Sequence, residues 1–265
     1  MSDLPPLLLV GCGKMGGAML AGWRERGLAG CVAVEPHAGG PIPGATVVTG
    51  PEAIPTGFLP AAVVFAIKPQ EAAAALPHYA RYAGQAVFVS IMAGRTLAFM
   101  RTLLGPDAAI IRAMPNTPAA IRQGFCVACA NAAVTAAQRD LADTLLAATG
   151  ETAWVEDEGL LDAVTAVSGG GPAYVFLLAE LLEAAAREQG IPADLARRMA
   201  RATVAGSGAL LAASTEDAAQ LRRNVTSPKG TTERALAVMM DRAAWPDTIS
   251  RAIAAATARS RELAG

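Results

Sequence analysis

The sequence has little charge of either sign and few aromatic residues. Charged residues make up 17% of the 265 residues and aromatic residues 5%, whereas hydrophobic residues make up 53%. The formal net charge is -1 and lysine and arginine form no run, so the basic surface that nucleic acids or anionic membranes attract is missing. These scarcities predict a compact globular protein without a nucleic-acid partner.

Long uninterrupted hydrophobic runs are also missing. A membrane-spanning helix needs about 20 apolar residues, and the longest candidate, residues 173–186, is interrupted by Glu180 and Glu183. The start of the sequence lacks the basic residues of a signal peptide. We therefore expect a cytoplasmic protein with no membrane partner.

Histidine and cysteine, which supply many metal ligands, are scarce. There are two histidines and four cysteines, so we expect neither a metal site nor a Ser-His-Asp triad. Cys126 and Cys129 form a CxxC pattern, but the surrounding run GFCVACA predicts a strand, in which residues three apart point to opposite faces. We interpret all four cysteines as reduced, apolar core residues.

What the sequence does contain is a glycine-rich turn between a strand pattern and a helix pattern. The β-type run at residues 7–10 is followed by GCGKMGG and then by apolar residues at helical spacing. In this order the glycines fit a dinucleotide-binding fold, with Gly11 in the tight turn, Gly13 beside the pyrophosphate and Gly16 at the helix–strand contact. A glycine-rich loop without a ligand is the alternative.

An acidic residue follows the next predicted strand. Glu35 ends the run at residues 31–34, about 20 residues after the glycines, where a carboxylate can accept hydrogen bonds from a ribose 2′-OH. The same carboxylate would repel the 2′-phosphate of NADPH. The sequence therefore predicts use of NAD(P)H with a modest preference for NADH.

Further apolar runs recur at regular spacing, and continuous runs of this kind are typical of parallel strands covered on both faces. They lie at residues 63–67, 86–91, 108–111, 125–130 and 152–155. We predict a doubly wound, mostly parallel sheet, in which ligands lie beyond the carboxyl ends of the strands. At those ends the sequence has Lys68-Pro69, Met92-Ala93-Gly94 and MPNTP (114–118). Three such exits favour a cofactor lying across them over simple strand termination.

From about residue 160 the sequence changes to successive helical patterns rich in alanine and leucine. We place a domain boundary at 157, with a dinucleotide-binding (Rossmann) domain in residues 1–157 and a helical domain in residues 158–265. The helical patterns contain more apolar faces than one small bundle can bury. We therefore predict that a second copy of the chain covers them.

A distinctive polar stretch, LRRNVTSPKGTTERAL, occupies residues 221–236. Ser227 suits an N-cap and Pro228 the first helical position, which predicts a helix start here. The unpaired N–H groups of a helix start, beside the hydroxyls of Thr231 and Thr232, would suit a small carboxylate. An ordinary capped helix is the alternative.

Together these landmarks resemble the pyrroline-5-carboxylate reductases, from the first strand to the last helix. The resemblance is carried by GCGKMG, FAIKP (65–69), IMAG (91–94), MPNTP, LLDAVTAVSGGGPAY (160–174) and LRRNVTSPKGTTERAL. The last of these is similar to the family's turn S-P-G-G-x-T, except that Lys229 stands where a glycine is common. We expect a helical φ for Lys229, because it would lie in the first helical turn; a positive φ would cost about 1–2 kcal/mol.

The resemblance implies NAD(P)H-dependent reduction of the C=N bond of 1-pyrroline-5-carboxylate to L-proline, the last step of proline biosynthesis. It also implies a Rossmann domain followed by an all-helical dimerisation domain, in a homodimer that can assemble further into a decamer. The family's substrate contacts correspond to Glu158, Asn224, Thr231 and Thr232, and we take Thr232 as the candidate catalytic residue. The helix start adds Ser227 and Gly230 as substrate-binding candidates.

The resemblance likewise implies which residues contact the cofactor. They are the 11–16 loop, with Gly11, Gly13, Lys14, Met15 and Gly16, and the strand exits Ala66, Ile67, Lys68, Pro69, Ile91, Met92 and Ala93. To these the spacing argument adds Glu35, and the MPNTP exit adds Asn116.

Several alternatives stay open at this point. Glu158 lies in an EDE cluster and can equally be a solvated acid, and Lys229 can be a solvated residue or can add charge beside a substrate carboxylate. A β-hydroxyacid dehydrogenase shares the two-domain layout but relies on a lysine in a long helix, and residues 160–220 contain none. A non-catalytic NAD-sensing module is the third possibility.

Overall fold

The computed structural model describes residues 4–264, which divide into two compact units. The first unit contains the residues up to Gly169 together with those from Ala256 onward, and the second contains Gly170–Ala255. The outer bounds of the two predicted domains, residues 1 and 265, lie outside the described residues. The predicted boundary at residue 157 stays a prediction.

The first unit is built on an eight-stranded sheet. Its strands are β1 (Leu7–Val10), β2 (Cys31–Val34), β3 (Thr46–Val48), β4 (Ala62–Phe65), β5 (Val87–Ser90), β6 (Ile110–Met114), β7 (Gly124–Ala130) and β8 (Gly150–Trp154). Their order is β3-β2-β1-β4-β5-β6-β7-β8. All neighbours are parallel except β6 and β7, which are antiparallel. The predicted mostly parallel, doubly wound sheet is confirmed.

Helices cover both faces of this sheet. They are α1 (Lys14–Glu25), α2 (Ala72–Ala75), α3 (Leu97–Leu104), α4 (Ala136–Leu146) and α5 (Leu160–Val164), with short 3-10 segments between them. Leu7 and Leu9 belong to one buried cluster, whereas Leu8 and Val10 belong to the other. Because both faces of β1 are buried, every position in it is apolar, which is why the run could be recognised in the sequence.

Two differences from the prediction are larger than the shifts of one or two residues seen in the bounds of β4, β5, β7 and β8. Strand β3 was not predicted, because its three residues lie at the sheet edge and are at most partly buried, so they form no continuous apolar run. Strand β6 continues to Met114 instead of ending at residue 111. Arg112, one residue beyond the predicted run, therefore lies inside β6 and is buried.

The cysteines lie largely as expected. Cys126 and Cys129 belong to different core clusters, which confirms that they point to opposite faces of β7. Burial raises the pKa of Cys31 and of Cys126 to about 12, so both thiols are protonated at neutral pH. Cys12 differs from the other three, because it lies in the loop after β1 and is only partly buried, although it packs against the same core cluster as Cys126.

The second unit consists of helices. They are α6 (Gly171–Glu188), α7 (Ala193–Ala213), α8 (Ala218–Asn224), α9 (Thr231–Met239) and the first part of α10 (Trp245–Ala264). Helices α6, α8 and α9 have no buried residue, and α7 has only Ala196 and Ala200. Large apolar side chains are exposed instead, among them Val175, Phe176, Leu177, Leu181, Leu210 and Leu211. The uncovered apolar faces that the sequence predicted are present.

One helix is long and apolar enough to span a membrane by length and composition alone. It runs over Leu160–Glu188, with a mean hydropathy of 1.3 in its most apolar window, of which 17% is buried. Glu180 and Glu183 lie within this stretch, so the expectation that no uninterrupted run of about 20 apolar residues is present is unchanged. A helix whose apolar face packs against another protein chain passes the same test.

Candidate active site

The glycine-rich loop lies at the carboxyl end of β1, between the neighbouring strands β2 and β4. The sheet order reverses here, which is where open α/β sheets bind their ligands. Gly11 has φ +87°, and a Cβ on it would lie 2.7 Å from the carbonyl oxygen of Ala66. A Cβ on Gly16 would lie 2.3 Å from the carbonyl oxygen of Gly11, whereas one on Gly13 would meet no atom within 4 Å. Two glycines thus allow close packing, and the third leaves open space.

Helix α1 begins directly after this open position. Gly13 is its N-cap and supplies no side-chain cap, and the first turn contains no acidic residue. The N–H groups of Lys14 and Met15 have no acceptor among the described residues. A helix start of this kind attracts an anion, so the loop fits the pyrophosphate of a dinucleotide.

Glu35 joins the glycine-rich loop to the turn after β2. Its Oε2 accepts the Cys12 N–H at 2.8 Å, and its Oε1 accepts the His37 N–H at 3.2 Å. Burial, and secondarily the Glu35 charge, raises the pKa of the Cys12 thiol. Glu35 also lines a cavity of about 580 Å³ with Cys12, Gly13, His37, Ala38, Gly39, Gly40, Pro41 and Ile42. The Glu35 carboxylate, which we expect to accept hydrogen bonds from the ribose, thus faces the cavity beside the loop. It also accepts hydrogen bonds from two backbone N–H groups.

The exits of β4 and β5 lie at the same edge of the sheet as the glycine-rich loop. Ala66 N–H donates to the Val10 carbonyl at 2.8 Å, and Ile91 N–H donates to the Phe65 carbonyl at 3.1 Å. The two exits are also joined to each other, because Arg95 Nε donates to the Pro69 carbonyl at 2.8 Å. The cofactor candidates of these exits, Ala66, Ile67, Lys68, Pro69, Ile91, Met92 and Ala93, are therefore neighbours of the loop.

Asn116, the cofactor candidate after β6, already has two protein partners. Its Oδ1 accepts the Phe125 N–H at 2.9 Å, and its Nδ2 donates to Ser168 Oγ at 3.2 Å. The amide thus connects the β6 exit to β7 and to the helical turn Thr165–Gly169. Its contact with a cofactor stays a prediction.

The turn before α9 differs from the prediction. Lys229 has φ +60°, and the Gly230 N–H donates to the Ser227 carbonyl at 3.0 Å. Proline in the second position and a positive φ in the third are the pattern of a type II turn. Helix α9 therefore begins at Thr231 with Gly230 as N-cap. The predictions of Ser227 as N-cap, Pro228 as first helical residue and a helical φ for Lys229 were wrong.

The corrected geometry leaves an open helix start. Gly230 supplies no side-chain cap, and the N–H groups of Thr231 and Thr232 have no acceptor among the described residues. The first-turn carboxylate of Glu233 accepts the Lys229 N–H at 2.8 Å, so it stabilises the turn that precedes the helix. Two threonines and two free N–H groups remain available to a small anion.

Two predicted substrate contacts are engaged with other residues. Asn224 ends α8, where its Nδ2 donates to Glu216 Oε2 at 2.9 Å and its Oδ1 accepts from Gln220 Nε2 at 2.7 Å. Glu158 accepts the Leu97 N–H at 2.8 Å and forms an ion pair with Arg112 at 2.9 Å. Glu158 is therefore not a freely solvated acid, and a contact of either residue with substrate stays a prediction.

The Glu158 partner was missed by sequence reasoning. Arg112 is 2% exposed, and it is flanked by Asp162 at 3.9 Å from Nη2. Asp162 in turn accepts the hydroxyl of Ser260 at 2.7 Å. The one available signal was an arginine inside the apolar run AAIIRAM, which a buried strand tolerates only with a charged partner.

Comparisons with known proteins identify the proteins that this chain is similar to. Residues 158–263 match the family model of pyrroline-5-carboxylate reductase dimerisation. The chain is 36% identical to the pyrroline-5-carboxylate reductase of Pseudomonas aeruginosa, over 98% of this chain and 97% of that one. The solved pyrroline-5-carboxylate reductase of Coxiella burnetii is 28% identical, with a TM-score of 0.90 over 99% and 100% of the two chains. The Plasmodium falciparum pyrroline carboxylate reductase, solved with NADP bound, is 24% identical with a TM-score of 0.86 over 100% of both chains, and shows the fold alone.

Proposed function

This chain belongs to the pyrroline-5-carboxylate reductase family, and we propose that it reduces the C=N bond of 1-pyrroline-5-carboxylate to L-proline with NAD(P)H. The observation that carries the proposal is the 36% identity to the Pseudomonas aeruginosa reductase over 98% of the chain. Two structural features also support the proposal: the glycine-rich loop at the start of α1 and the uncapped start of α9. The chain is thus an oxidoreductase that acts on an imine in proline biosynthesis.

The residues of the first unit fit a reduced dinucleotide. The N–H groups of Lys14 and Met15 would hold the pyrophosphate beside Gly13, where no Cβ fills the space. The strand exits at residues 66–69 and 91–93, with Asn116, would hold the nicotinamide end. When bound, the reduced nicotinamide supplies the hydride.

The turn before α9 would hold the substrate. The substrate carboxylate would accept hydrogen bonds from the N–H groups of Thr231 and Thr232. The hydroxyl of Ser227, at the start of the turn, would donate a further hydrogen bond. The hydroxyl of Thr232 would hydrogen-bond the ring nitrogen and so orient the protonated imine. A threonine hydroxyl is too weak an acid to protonate that nitrogen, so the proton arrives with the iminium or through water. Asn224 and Glu158 complete the set of substrate contacts that we propose.

We propose NADH as the preferred cofactor because of Glu35. A carboxylate about 4 Å from a phosphate charge is repelled by about 4 kcal/mol at an effective dielectric constant of about 20. Exposure and salt reduce this to about 1–2 kcal/mol, which still decides between NADH and NADPH. The Glu35 carboxylate faces the cavity beside the loop, which supports the proposal.

We further propose a homodimer as the basic assembly. The match of residues 158–263 to the dimerisation model and the exposed apolar residues of α6 support self-association. Assembly of dimers into a decamer, in the cytoplasm, rests on the family alone. Light scattering on the purified chain measures the subunit number directly.

A cofactor-oxidation assay tests the proposed reaction. With 1-pyrroline-5-carboxylate and NADH or NADPH, we expect loss of the 340-nm absorbance of the cofactor (roughly one equivalent per L-proline formed). If the chain does not reduce 1-pyrroline-5-carboxylate but oxidises 3-hydroxyisobutyrate with NAD⁺, it is a β-hydroxyacid dehydrogenase. Cofactor binding without either reaction would identify a non-catalytic NAD-sensing module.

A further inference from the structure

The end of the chain belongs to the nucleotide-binding unit. Residues from Ala256 onward, the last part of α10, cluster with the residues up to Gly169. Ser260 is buried there, and Leu263 lies against Gly94, where an added Cβ would be 3.1 Å from both the Cβ and the carbonyl oxygen of Leu263. The last turn of α10 thus contacts the segment that follows β5.

A row of polar contacts leads from Ser260 to the same segment. Ser260 Oγ donates to Asp162 Oδ1 at 2.7 Å, and this oxygen lies 3.9 Å from Arg112 Nη2. Arg112 Nη1 donates to Glu158 Oε1 at 2.9 Å, and Glu158 accepts the N–H of Leu97, the first residue of α3, at 2.8 Å. The end of α10 therefore reaches the start of α3 through four side chains.

These contacts converge on the 91–96 loop between β5 and α3. At its start, Met92 N–H donates to Ser90 Oγ at 3.3 Å. Near its end, Arg95 donates to the carbonyl of Pro69. The loop contains Ile91, Met92 and Ala93, which are candidate cofactor contacts. Glu158 binds the N–H of the residue directly after the loop, and Leu263 in the last turn of α10 lies against Gly94.

The row is sensitive to the loss of any member. Arg112 is buried, and its Nε and Nη2 have no hydrogen-bond partner among the described residues. Buried charged groups with incomplete hydrogen bonding respond strongly when a neighbour is removed. Loss of the Ser260 hydroxyl removes the hydrogen bond that Asp162 accepts, so we expect Asp162 to be held less firmly and, with it, one of the two charged contacts of Arg112.

We propose that the last turn of α10 is a positioning element of the cofactor site, with Ser260 and Leu263 as positioning residues that hold the 91–96 loop in its binding conformation. The inference rests on the proposed function in one respect, namely that this loop contacts the nicotinamide. Because apparent affinity falls with the fraction of molecules in the binding conformation, a loosened loop weakens cofactor binding more than it slows the chemical step.

The first test compares two buried hydroxyls in the full-length chain. Ser260→Ala removes the hydrogen bond to Asp162, whereas Thr149→Val removes the buried hydrogen bond of Thr149 to the Leu146 carbonyl, in another part of the unit. NADH binding is titrated by fluorescence without substrate. We expect an about three- to tenfold higher Kd for Ser260→Ala and an unchanged Kd for Thr149→Val and for the hydroxyl-retaining Ser260→Thr. An unchanged Kd in Ser260→Ala would overturn the proposal.

The second test compares two glycines with positive φ. Gly94 has φ +69° beside Leu263, and Gly84 has φ +80° with no atom within 4 Å of an added Cβ. Both alanine variants carry the same backbone strain, so both should lower Tm, but only Gly94→Ala should also weaken NADH binding. In the double variant with Ser260→Ala the two effects should be less than additive, because both act on one loop. Equal binding by the two glycine variants, or full additivity, contradicts the proposal.

These outcomes also separate the inference from the proposed function. A wild-type chain that binds neither NADH nor NADPH removes the proposed function itself. A wild-type chain that binds NADH, with variants that bind equally well, leaves the function in place and removes only the positioning role. If Ser260→Ala does not fold, the glycine pair decides.

Discussion

The two units of the chain differ in how completely they bury their apolar residues. All residues of β1, β2, β4, β5 and β6 are buried within one chain. In contrast, α6 has no buried residue, and its Phe176 and Leu181 are 67% and 56% exposed. One chain therefore completes the core that supports the cofactor loops, whereas the helical unit leaves apolar faces that self-association would cover.

The free energy of burying the exposed apolar side chains is large enough to drive association of two chains. Full burial of one leucine or phenylalanine side chain contributes about 1.5–3 kcal/mol, so several such residues on α6 and α7 are enough to offset the cost of association. The comparison predicts that changes in the helical unit act through assembly, and that changes in the cofactor loops act through binding.

The largest effect is expected where assembly is disturbed. Leu181→Glu places a charge on the apolar face of α6, and burying that charge in an interface costs several kcal/mol. We expect monomers in light scattering and an activity loss of at least about a hundredfold. Leu59→Glu is the control, because Leu59 is 68% exposed but lies in the first unit. Dimeric Leu181→Glu would mean that this face is not the interface.

The next largest effect is expected at the turn before α9. Thr232→Ala removes a hydrogen bond to the reacting ring, worth about 1.5–3 kcal/mol if it is charge-assisted. We expect kcat/KM to fall about tenfold to more than a hundredfold with normal assembly. Thr226→Ala, which removes only a hydrogen bond to the Arg222 carbonyl, should retain wild-type kinetics. Full turnover by Thr232→Ala would remove Thr232 from the mechanism.

A smaller and local effect is expected in the glycine-rich loop. A Cβ in Gly16→Ala would lie 2.3 Å from the Gly11 carbonyl oxygen, so the backbone must move, whereas in Gly17→Ala the nearest atom is the Cys12 carbonyl oxygen at 3.8 Å. We expect Gly16→Ala to bind NADH about tenfold more weakly or worse. Gly17→Ala should bind normally and gain up to about 1 kcal/mol of stability. Equal affinities would show that the loop does not hold the dinucleotide.

Cofactor choice should respond to Glu35 in a graded way. Glu35→Gln removes the charge but keeps an acceptor for the Cys12 N–H, whereas Glu35→Ser removes both. We expect the NADH-to-NADPH ratio of kcat/KM to fall about five- to thirtyfold in Glu35→Gln, the equivalent of about 1–2 kcal/mol. Glu35→Ser should in addition weaken binding of both cofactors. A wild-type preference for NADPH would refute the role of the carboxylate.

The smallest effect is expected from the strained residue of the turn. Lys229→Gly removes about 1–2 kcal/mol of strain at φ +60°, partly offset by the greater entropy of an unfolded glycine. We expect a net gain of about 0.5–1 kcal/mol in the free energy of unfolding, measured by denaturant titration. Arg122→Gly is the contrast at φ 61°, because it also loses the ion pair to Glu25 and should not gain stability.

Local patterns in the sequence were sufficient for much of the first unit. The bounds of β1 and β2 follow from continuous apolar runs, and the glycine-rich loop follows from its place between a strand and a helix. In contrast, Lys229 was misassigned because helix-start signals at Ser227 and Pro228 also fit a type II turn. The hydrogen bond between Ser260 and Asp162 joins residues that are 98 positions apart in the sequence, and no local pattern predicts so distant a pair.

The residues of the candidate site also fall into those that a local pattern predicts and those whose contacts depend on distant parts of the chain. The positions of Gly11, Gly13 and Glu35 were accessible because the dinucleotide-binding pattern is itself local. The engagement of Glu158 by Arg112 and Leu97 was not, because it depends on which strand and helix ends lie together. Sequence reasoning therefore identifies groups that can bind ligands more readily than it identifies the partners that already hold them.

A crystal structure with NAD⁺ and L-proline tests the central claim most directly. We predict the proline carboxylate on the N–H groups of Thr231 and Thr232, with the ring nitrogen about 3 Å from Thr232 Oγ1. Proline bound away from the turn, or a Thr232 hydroxyl beyond hydrogen-bonding reach of the ring nitrogen, would contradict the account.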